Sequence, residues 1–211
     1  MADKPDPENN PERGWGQALP NLVSESVSVH NHAVNGRSTK SFIDEGRWEK
    51  VRATLHAGDY VLIQFGHNDE KNEDSTRYAA ADGAYRVNLQ RFVREARAAG
   101  ATPILLTPIV RRQWSSTGAL TNTHGKYPAA VRDVATAENV ALIDAEQLTA
   151  DLLKRYGDEK SKSLFVWTAQ GEYPAFPASR SDNTHLSPAG AREVAALIAK
   201  QLPPSLIGNS K

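Results

Sequence analysis

Short apolar runs recur along the chain and predict β-strands. Residues 26–34 form a valine-rich alternating run, and residues 59–65 (DYVLIQF), 101–109 (ATPILLTPI) and 139–144 (NVALID) form continuous apolar runs. Alternation indicates a strand with one buried face, and a continuous apolar run indicates a strand buried on both faces. The pattern therefore predicts four strands.

Between these runs, apolar residues recur with helical spacing. Four segments show it: residues 47–55, 79–99, 128–138 and 145–156. A fifth helix follows Ser187, a suitable N-cap, with Pro188 at the first helical position. Strands that alternate with amphipathic helices favour a parallel sheet covered on both faces, so the predicted fold class is α/β.

The length of 211 residues fits one domain with a single core, spanning residues 1–211. Residues 1–13 and 157–184 lack a periodic pattern and are predicted to be irregular. The second segment is long enough to be functional rather than a plain connection.

Composition excludes several classes of protein. Lys and Arg total 25 and so do Asp and Glu, so no net charge attracts nucleic acid or an anionic lipid surface. The absence of cysteine excludes disulfide scaffolds, thiolate metal sites and cysteine nucleophiles. The apolar runs are too short to span a membrane, and residues 1–16 show no signal peptide. We expect a soluble protein with no nucleic-acid or membrane partner.

Three polar clusters stand where ligands bind in α/β proteins. Residues 35–38 (NGRS) follow the first predicted strand, residues 66–69 (GHND) follow the second, and residues 182–185 (DNTH) precede the last helix. Ligands of parallel α/β folds sit at the carboxyl ends of the strands. We therefore expect the three clusters to face one edge of the sheet.

Asp182 and His185 stand three residues apart on a predicted loop that runs into the last helix. At this spacing the carboxylate can hold one ring nitrogen and leave the other free to move a proton. The pair is a candidate base with its orienting group. The alternative is a helix-capping Asp beside a surface His.

Two further residues can supply hydrogen bonds to a developing oxyanion. The Asn68 side-chain amide donates without a change of charge, and Gly36 offers a backbone N–H with no side chain in the way. The alternatives are an Asx-type turn at Asn68 and a left-handed turn residue at Gly36.

These clusters resemble blocks of the SGNH (GDSL-type) hydrolase superfamily, and within it the rhamnogalacturonan acetylesterase group. The second-block glycine corresponds to Gly36 in AVNGRS, the third-block Gly-x-Asn to Gly66 and Asn68 in FGHND, and the fifth-block Asp-x-x-His to Asp182 and His185 in DNTHLSPAGA. The resemblance covers nearly the whole chain and implies a flavodoxin-like three-layer α/β/α fold with strand order 2-1-3-4-5. It implies no metal and no organic cofactor, because protein groups supply the family's chemistry.

The family's first block, a strand that ends in Gly-Asp-Ser-Thr and carries the nucleophilic serine, is missing from this sequence. In the family that block precedes segments that resemble residues 1–5 and 14–16. The missing strand is the central one of the sheet, and residues 202–211 have neither a strand pattern nor such a serine, so circular permutation is rejected. We expect Met1 to be a truncated or mis-assigned start, and the full-length protein to be extracellular or periplasmic.

For the complete protein, the resemblance implies a serine ester hydrolase that removes acetyl groups from a pectin-type polysaccharide. The upstream serine would attack the acetyl carbonyl, His185 would move the proton, Asp182 would hold the imidazole, and Gly36 and Asn68 would bind the oxyanion. The 211-residue chain itself is expected to show no meaningful turnover. The alternatives are a non-catalytic carbohydrate-binding protein and an esterase for lipid-like substrates.

Several other polar residues are weaker candidates. His30 and His32 share one face of the first predicted strand, as a metal pair would, but a third ligand is not evident. His67 is expected to shape the pocket. The acidic pairs at residues 44–45 and 69–70 are interpreted as solvated turn or helix-end residues rather than glycosidase carboxylates.

Aromatic and basic residues in predicted loops offer sugar contacts. Stacking on sugar rings and packing under a long loop are both open for four of them: Trp114, Trp167, Tyr173 and Phe176. Arg111 and Arg112 follow the third predicted strand and suit the carboxylate of an acidic sugar, with solvated charges as the alternative.

Overall fold

The computed structural model describes residues 1–207, and the Cα atoms pack into two compact units. The first unit contains Met1–Asn35, Val110–Thr123 and the chain from Leu148 onward, and the second contains Gly36–Ile109 and His124–Gln147. The predicted organisation as one domain stays a prediction. Residues 208–211, the end of the C-terminal segment predicted to lack a strand, lie outside the described residues.

A three-stranded parallel sheet forms the centre of the second unit. Its strands are β1 (Tyr60–Gln64), β2 (Thr102–Leu106) and β3 (Ala141–Ile143), in the order β1-β2-β3. Tyr60 pairs with Thr102, and Ile104 pairs with Ala141. Three of the four predicted strands and the α/β class are thus confirmed, because each apolar run finds a neighbouring strand and a helix to cover it.

The helices of both units are as follows: α1 (Trp15–Ala18), α2 (Thr39–Asp44), α3 (Arg47–Arg52), α4 (Ala84–Ala98), α5 (Tyr127–Ala137), α6 (Ala145–Ser161), α7 (Pro188–Ala199) and α8 (Pro204–Ile207). A 3₁₀ turn, Leu19–Leu22, follows α1, and a second, Lys162–Leu164, follows α6. The predicted helices are confirmed, although α4 begins at Ala84 rather than at residue 79. No helix among residues 1–207 is long and apolar enough to cross a membrane.

An aromatic core fills the second unit beneath the sheet. Trp48 of α3 packs against Phe92 of α4 with ring centroids 4.6 Å apart, and Phe65 lies 5.5 Å from Phe92. Tyr85 is fully buried, and its hydroxyl donates to the Phe65 carbonyl at 3.0 Å. These contacts fix the end of β1, directly before the Gly66–Asp69 turn.

The prediction of a strand at residues 26–34 is wrong. Strands exist as hydrogen-bonded ladders, and this segment pairs with none of the strands among residues 1–207. Side chains hold it instead, because the Asn31 amide donates to the Met1 carbonyl at 3.0 Å and to Asp3 at 2.6 Å.

The prediction of an irregular segment at residues 157–184 is wrong for most of its length and holds only for residues 169–179. Helix α6 continues to Ser161 with a non-helical residue at Gly157, and two antiparallel strands follow, β4 (Phe165–Thr168) and β5 (Arg180–Leu186). Each strand is too polar or too short to show a period, and their pairing supplies the order that the sequence pattern lacks. Trp167 therefore lies on β4, not in a loop.

Helix α7 begins directly after β5 and packs closely against the chain before β4. Ser187 caps the helix by accepting from the Gly190 backbone N–H at 3.1 Å, as predicted. A Cβ atom on Gly190 would lie 1.9 Å from the Leu164 carbonyl oxygen, so only glycine allows this approach. The Ser187 backbone N–H donates to that carbonyl at 3.1 Å, which fixes the C-terminal end of β5.

Candidate functional site

Asp182 and His185 form a hydrogen-bonded pair in the first unit. The Asp182 Oδ2 atom lies 2.7 Å from His185 Nδ1, and Oδ1 accepts from the backbone N–H groups of Thr184 and His185 at 2.7 and 2.9 Å. The His185 side chain is half exposed, and its Nε2 atom has no hydrogen-bond partner among residues 1–207. The carboxylate thus holds one ring nitrogen and leaves the other open to a ligand.

A bulge in β5 makes this pairing geometrically possible. The prediction of a loop here is wrong, because both residues lie in β5. Phe165 pairs with Leu186 and Trp167 pairs with Ser181. Between these two pairs, however, the chain advances by two residues on β4 and by five residues on β5. The extra residues fold back on Asp182, which brings side chains three apart onto the same side, whereas a regular strand would point them to opposite faces.

Electrostatics favour the ionised form of Asp182. Burial by itself would raise the pKa of this carboxyl group, but the hydrogen bonds from the His185 side chain and from the Thr184 and His185 backbone outweigh it. The pKa of Asp182 therefore lies well below its ordinary value. An ionised partner stabilises the imidazolium that forms when His185 accepts a proton.

Three residues that the sequence analysis did not single out surround this pair. Arg180 lies between Asp182 and Glu12, and Lys4 lies on the far side of Glu12. Glu12, Asp182 and His185 bring their ligand-type atoms within 4.8 Å of one another, but both Glu12 oxygens already accept from Lys4 and Arg180. The Glu12 oxygen atoms that could bind a metal ion are thus already engaged in ion pairs. Arg180 stands two residues before Asp182, and nothing in the sequence points to Glu12 or Lys4.

Arg112 supports the bulge from below, and its assignment to a sugar carboxylate or to solvent is wrong. Its side chain is buried and donates to Ser161 Oγ at 3.1 Å, to Asn183 Oδ1 at 3.0 Å and to Asp158. The Trp167 indole N–H donates to the same Asn183 oxygen at 3.0 Å. These two hydrogen bonds hold the Asn183 side chain in place, next to Asp182 and Thr184 in the sequence.

Gly36 and Asn68 belong to two neighbouring loops of the second unit. Gly36 has a positive φ of 75°, which favours glycine, and its N–H makes no hydrogen bond among the described residues. The Asn68 Nδ2 group donates to the Arg37 carbonyl at 3.3 Å, and Oδ1 accepts from Arg77 at 3.5 Å. Because Nδ2 carries two hydrogens, one remains to donate to a ligand.

Asp69 ties these two loops together. It is fully buried, which contradicts the interpretation as a solvated turn residue. Its Oδ1 accepts from the Thr39 N–H at 2.8 Å and from the Thr39 hydroxyl at 2.5 Å, and its Oδ2 accepts from the Gly66 N–H at 3.1 Å. Burial raises the pKa of Asp69 to about 6, although these hydrogen bonds oppose the shift.

The other polar candidates of the second unit have structural partners. Glu70 lies 2.8 Å from Nδ1 of the buried His124, whose ring is 4.4 Å from that of His67. Asp44 and Glu45 do lie at the end of α2, as interpreted, where they pair with Lys40 and with Arg37 and Arg47. In the first unit, His30 Nε2 lies 3.2 Å from the Ser28 hydroxyl.

The aromatic candidates of the first unit sit on short irregular pairings. Trp114 bridges to Leu120, and Tyr173 bridges to Phe176, both antiparallel. Trp167 has the Arg112 guanidinium 5.2 Å and the Lys162 amine 4.7 Å from its ring centroid. Both cations lie over its ring, which favours packing for Trp167. Stacking on sugar stays a prediction for the others.

A polar cleft of about 550 Å³ opens beside Gly36 in the second unit. Charged and hydroxyl side chains dominate its lining: Gly36, Arg37, Lys40, Ser41, Asp44, Glu45, Ser75, Thr76 and Arg77. Hydroxyl groups and paired charges can exchange hydrogen bonds with the many hydroxyls of a sugar. The cleft is therefore suited to a carbohydrate.

Comparisons with known proteins agree with this chemistry. A family model described as GDSL-like Lipase/Acylhydrolase family matches residues 2–193. Rhamnogalacturonan acetylesterase RhgT of Bacillus subtilis (strain 168) is 42% identical over 194 residues, which are 92% of this chain and 82% of that protein. Probable rhamnogalacturonan acetylesterase YesY of the same strain is 33% identical over 187 residues, with shares of 89% and 82%.

Among solved structures, the protein YXIM from Bacillus subtilis superposes with a TM-score of 0.81 at 24% identity. The match covers 96% of this chain and 53% of that one, so the chain spans about half the length of this relative. At this identity the likeness shows the fold alone.

Proposed function

Because the chain belongs to the GDSL-like lipase/acylhydrolase family, we propose that it carries the site of a serine ester hydrolase that removes acetyl groups from a pectin-type polysaccharide. By family it is a carbohydrate acetylesterase, since RhgT is named a rhamnogalacturonan acetylesterase and YesY a probable one. The observation that carries the proposal is the Asp182–His185 pair, in which Nδ1 is held at 2.7 Å and Nε2 is open. The charged and hydroxyl side chains that line the cleft beside Gly36 support a sugar substrate.

The mechanism assigns one role to each residue. A serine Oγ attacks the acetyl carbonyl while His185 Nε2 takes its proton, and Asp182 holds the ring and stabilises the imidazolium. The N–H of Gly36 and the Asn68 amide donate to the oxyanion of the tetrahedral intermediate. The imidazolium then protonates the departing sugar oxygen. Water attacks the acetyl-serine, giving its proton to His185, and collapse releases acetate and restores the serine.

The serine belongs to a Gly-Asp-Ser block that the 211-residue sequence does not contain. We therefore propose that this chain by itself is inactive as an esterase. Loss of a triad serine lowers the rate about a million-fold, and the oxyanion donors account for the small activity that remains. The charged and hydroxyl side chains of the cleft beside Gly36 support a second candidate function, a carbohydrate-binding protein that lacks catalysis.

The test compares acetate release from a chromogenic acetyl ester by two proteins. One is the chain itself, and the other, here called the extended chain, carries an added N-terminal strand that ends in Gly-Asp-Ser-Thr. We expect activity only in the extended chain, and its loss when the added serine is alanine or when His185→Ala is introduced. Turnover by the unextended chain at a similar rate would contradict the proposal.

The substrate class is tested with the extended chain on two acetylated polymers. Acetate release from acetylated rhamnogalacturonan should exceed release from acetylated xylan. Silence on both polymers and on the chromogenic ester, together with retained binding of the pectic polymer, would favour the binding protein.

A further inference from the structure

The Arg180 guanidinium lies between two carboxylates of the first unit. Its NH2 group donates to Asp182 Oδ2 at 3.1 Å and to Glu12 Oε1 at 2.7 Å. The three side chains are largely buried, with exposed fractions of 26% for Arg180, 17% for Glu12 and 19% for Asp182. Burial limits screening by solvent, so these ion pairs act more strongly than pairs on an open surface.

Arg180 completes the set of donors around Asp182. The Oδ1 atom accepts two backbone N–H groups, and Oδ2 accepts from His185 Nδ1 at 2.7 Å as well as from Arg180. A carboxylate with two donors on each oxygen cannot rotate without losing bonds. Arg180 therefore fixes the oxygen that orients the imidazole.

Glu12 is in turn anchored on its other side. Lys4 Nζ donates to Glu12 Oε2 at 2.6 Å and to Asn35 Oδ1 at 3.0 Å. The backbone of Lys4 is held by Gln17, which accepts from its N–H at 3.0 Å and donates to its carbonyl at 3.2 Å. Positive and negative groups thus alternate along this network, and its charged groups around the imidazole are, in order from His185, Asp182, Arg180, Glu12 and Lys4.

We propose that Arg180 is a positioning residue that holds the Asp182 carboxylate against His185, and that Glu12 holds Arg180 and offsets its charge at the imidazole. The proposal rests on the proposed role of His185 as the base. Its test reads the imidazole directly, in the chain as it exists, and so needs no esterase activity.

The measurement is the titration of the His185 imidazole by NMR in the wild-type chain, Arg180→Gln and Glu12→Gln, with the signal assigned by His185→Gln. The Thr184 and His185 backbone N–H groups still hold Asp182 Oδ1 in Arg180→Gln, so the removal of the nearby cation outweighs the looser carboxylate and the titration midpoint should rise by about half a pH unit. Loss of the anion should lower the midpoint by a similar amount in Glu12→Gln. Nearby charges shift the midpoint wherever the carboxylate lies, so the hold on Asp182 is read separately from the downfield Nδ1–H signal of His185, which should weaken in Arg180→Gln. A change of the midpoint without a change of this signal would overturn the positioning role.

Arg132→Gln is the matched control. Arg132 also bridges two carboxylates, those of Asp144 and Glu146, at 2.8 and 2.6 Å, but lies in the second unit. It should lower the unfolding temperature about as much as Arg180→Gln and leave the His185 titration unchanged.

Arg180→Lys gives a second, milder variant that keeps the charge. Its midpoint should stay close to that of the wild type. The proposal is overturned if Arg180→Gln changes only the unfolding temperature, if Arg180→Gln and Glu12→Gln shift the midpoint in the same direction, or if Arg180→Lys shifts it as far as Arg180→Gln. Loss of esterase activity in the extended chain with the expected midpoints would instead contradict the proposed function.

Discussion

Two aspartates, one in each unit, lie beside candidate site residues and have opposite electrostatics. Asp69 is fully buried among neutral donors, the Thr39 hydroxyl and the N–H groups of Thr39 and Gly66, and its pKa is raised to about 6. Asp182 is less buried and faces His185 and Arg180, and its pKa lies well below the ordinary value. The same side chain thus has a raised pKa in one unit and a lowered pKa in the other.

The two aspartates differ in role, because Asp69 holds two loops together and Asp182 is the proposed partner of the base His185. Neutral donors satisfy a buried carboxylate but do not fully offset the loss of water around its charge. Asp69 therefore holds two loops together at an electrostatic cost. A partner that becomes cationic during the reaction gains from an ionised carboxylate, which is the condition that Asp182 meets.

The largest expected effect comes from Asp182→Asn in the extended chain. The amide leaves His185 in the wrong tautomer, so kcat/KM should fall by about ten-thousand-fold. Asp69→Asn, the matched control, should fall far less, because Asp69 contacts no reacting atom. Hydrolysis of the chromogenic ester measures both. Equal losses would mean that the two aspartates do not differ in role.

A large loss of stability is expected for Asp69→Ala. The change leaves the Thr39 N–H, the Thr39 hydroxyl and the Gly66 N–H without their buried acceptor. The free energy of unfolding should fall by about 3 kcal/mol at pH 7. Urea unfolding measures it, with Asp82→Ala, an exposed aspartate, as the control. A loss no greater than that of the control would contradict the bracing role.

The pH dependence of stability should differ in sign between the two aspartates. The folded protein binds a proton at Asp69 more tightly than the unfolded chain does, so the Asp69 contribution to stability falls as pH rises from 4 to 6, by about 2 kcal/mol. The lowered pKa of Asp182 acts in reverse: its contribution is present above pH 4 and is lost as pH falls further.

This sign difference is measured by subtracting the unfolding free energies of Asp69→Asn and of Asp182→Asn from those of the wild type between pH 3 and 7. The first difference should decrease with pH and the second should increase at the acidic end. Two differences of the same slope would be inconsistent with the opposite pKa shifts.

The smallest effect is expected for a third aspartate, Asp44, which lies exposed in the cleft and pairs with Lys40 at 2.7 Å. A double-mutant cycle of Lys40→Ala and Asp44→Ala should give a coupling of about 0.3–0.5 kcal/mol that weakens with salt. A coupling of several kcal/mol would show that exposure does not separate this pair from the buried ones.

Much of the fold could be predicted because it follows from local patterns of apolar and polar residues. The runs that became β1, β2 and β3 are apolar enough to show their burial, and the cap of α7 is legible in Ser187 and Pro188. Residues 26–34 have an equally clear alternation but no strand to pair with among the described residues. Alternation reports a face to be buried and does not supply a partner.

The sequence predicts which residues carry the chemistry of the candidate site, but it does not predict the residues that hold them in place. The prediction of Asp182, His185, Gly36 and Asn68 rests on the short spacing of the first pair and on the turn chemistry of the other two. Glu12 and Arg180 meet although 168 residues separate them, and Thr39 reaches Asp69 across 30 residues. No local pattern encodes such contacts.

The sequence by itself determined the α/β class, the buried strands, the start of α7 and the chemical types at the candidate site, since these follow from the polarity and shape of neighbouring residues. Only the tertiary structure decided the bulge that joins Asp182 to His185, the burial of Asp69 and the ion pairs of Arg180. The physical reason is that burial and charge pairing are properties of what surrounds a side chain. Those surroundings come from distant parts of the chain.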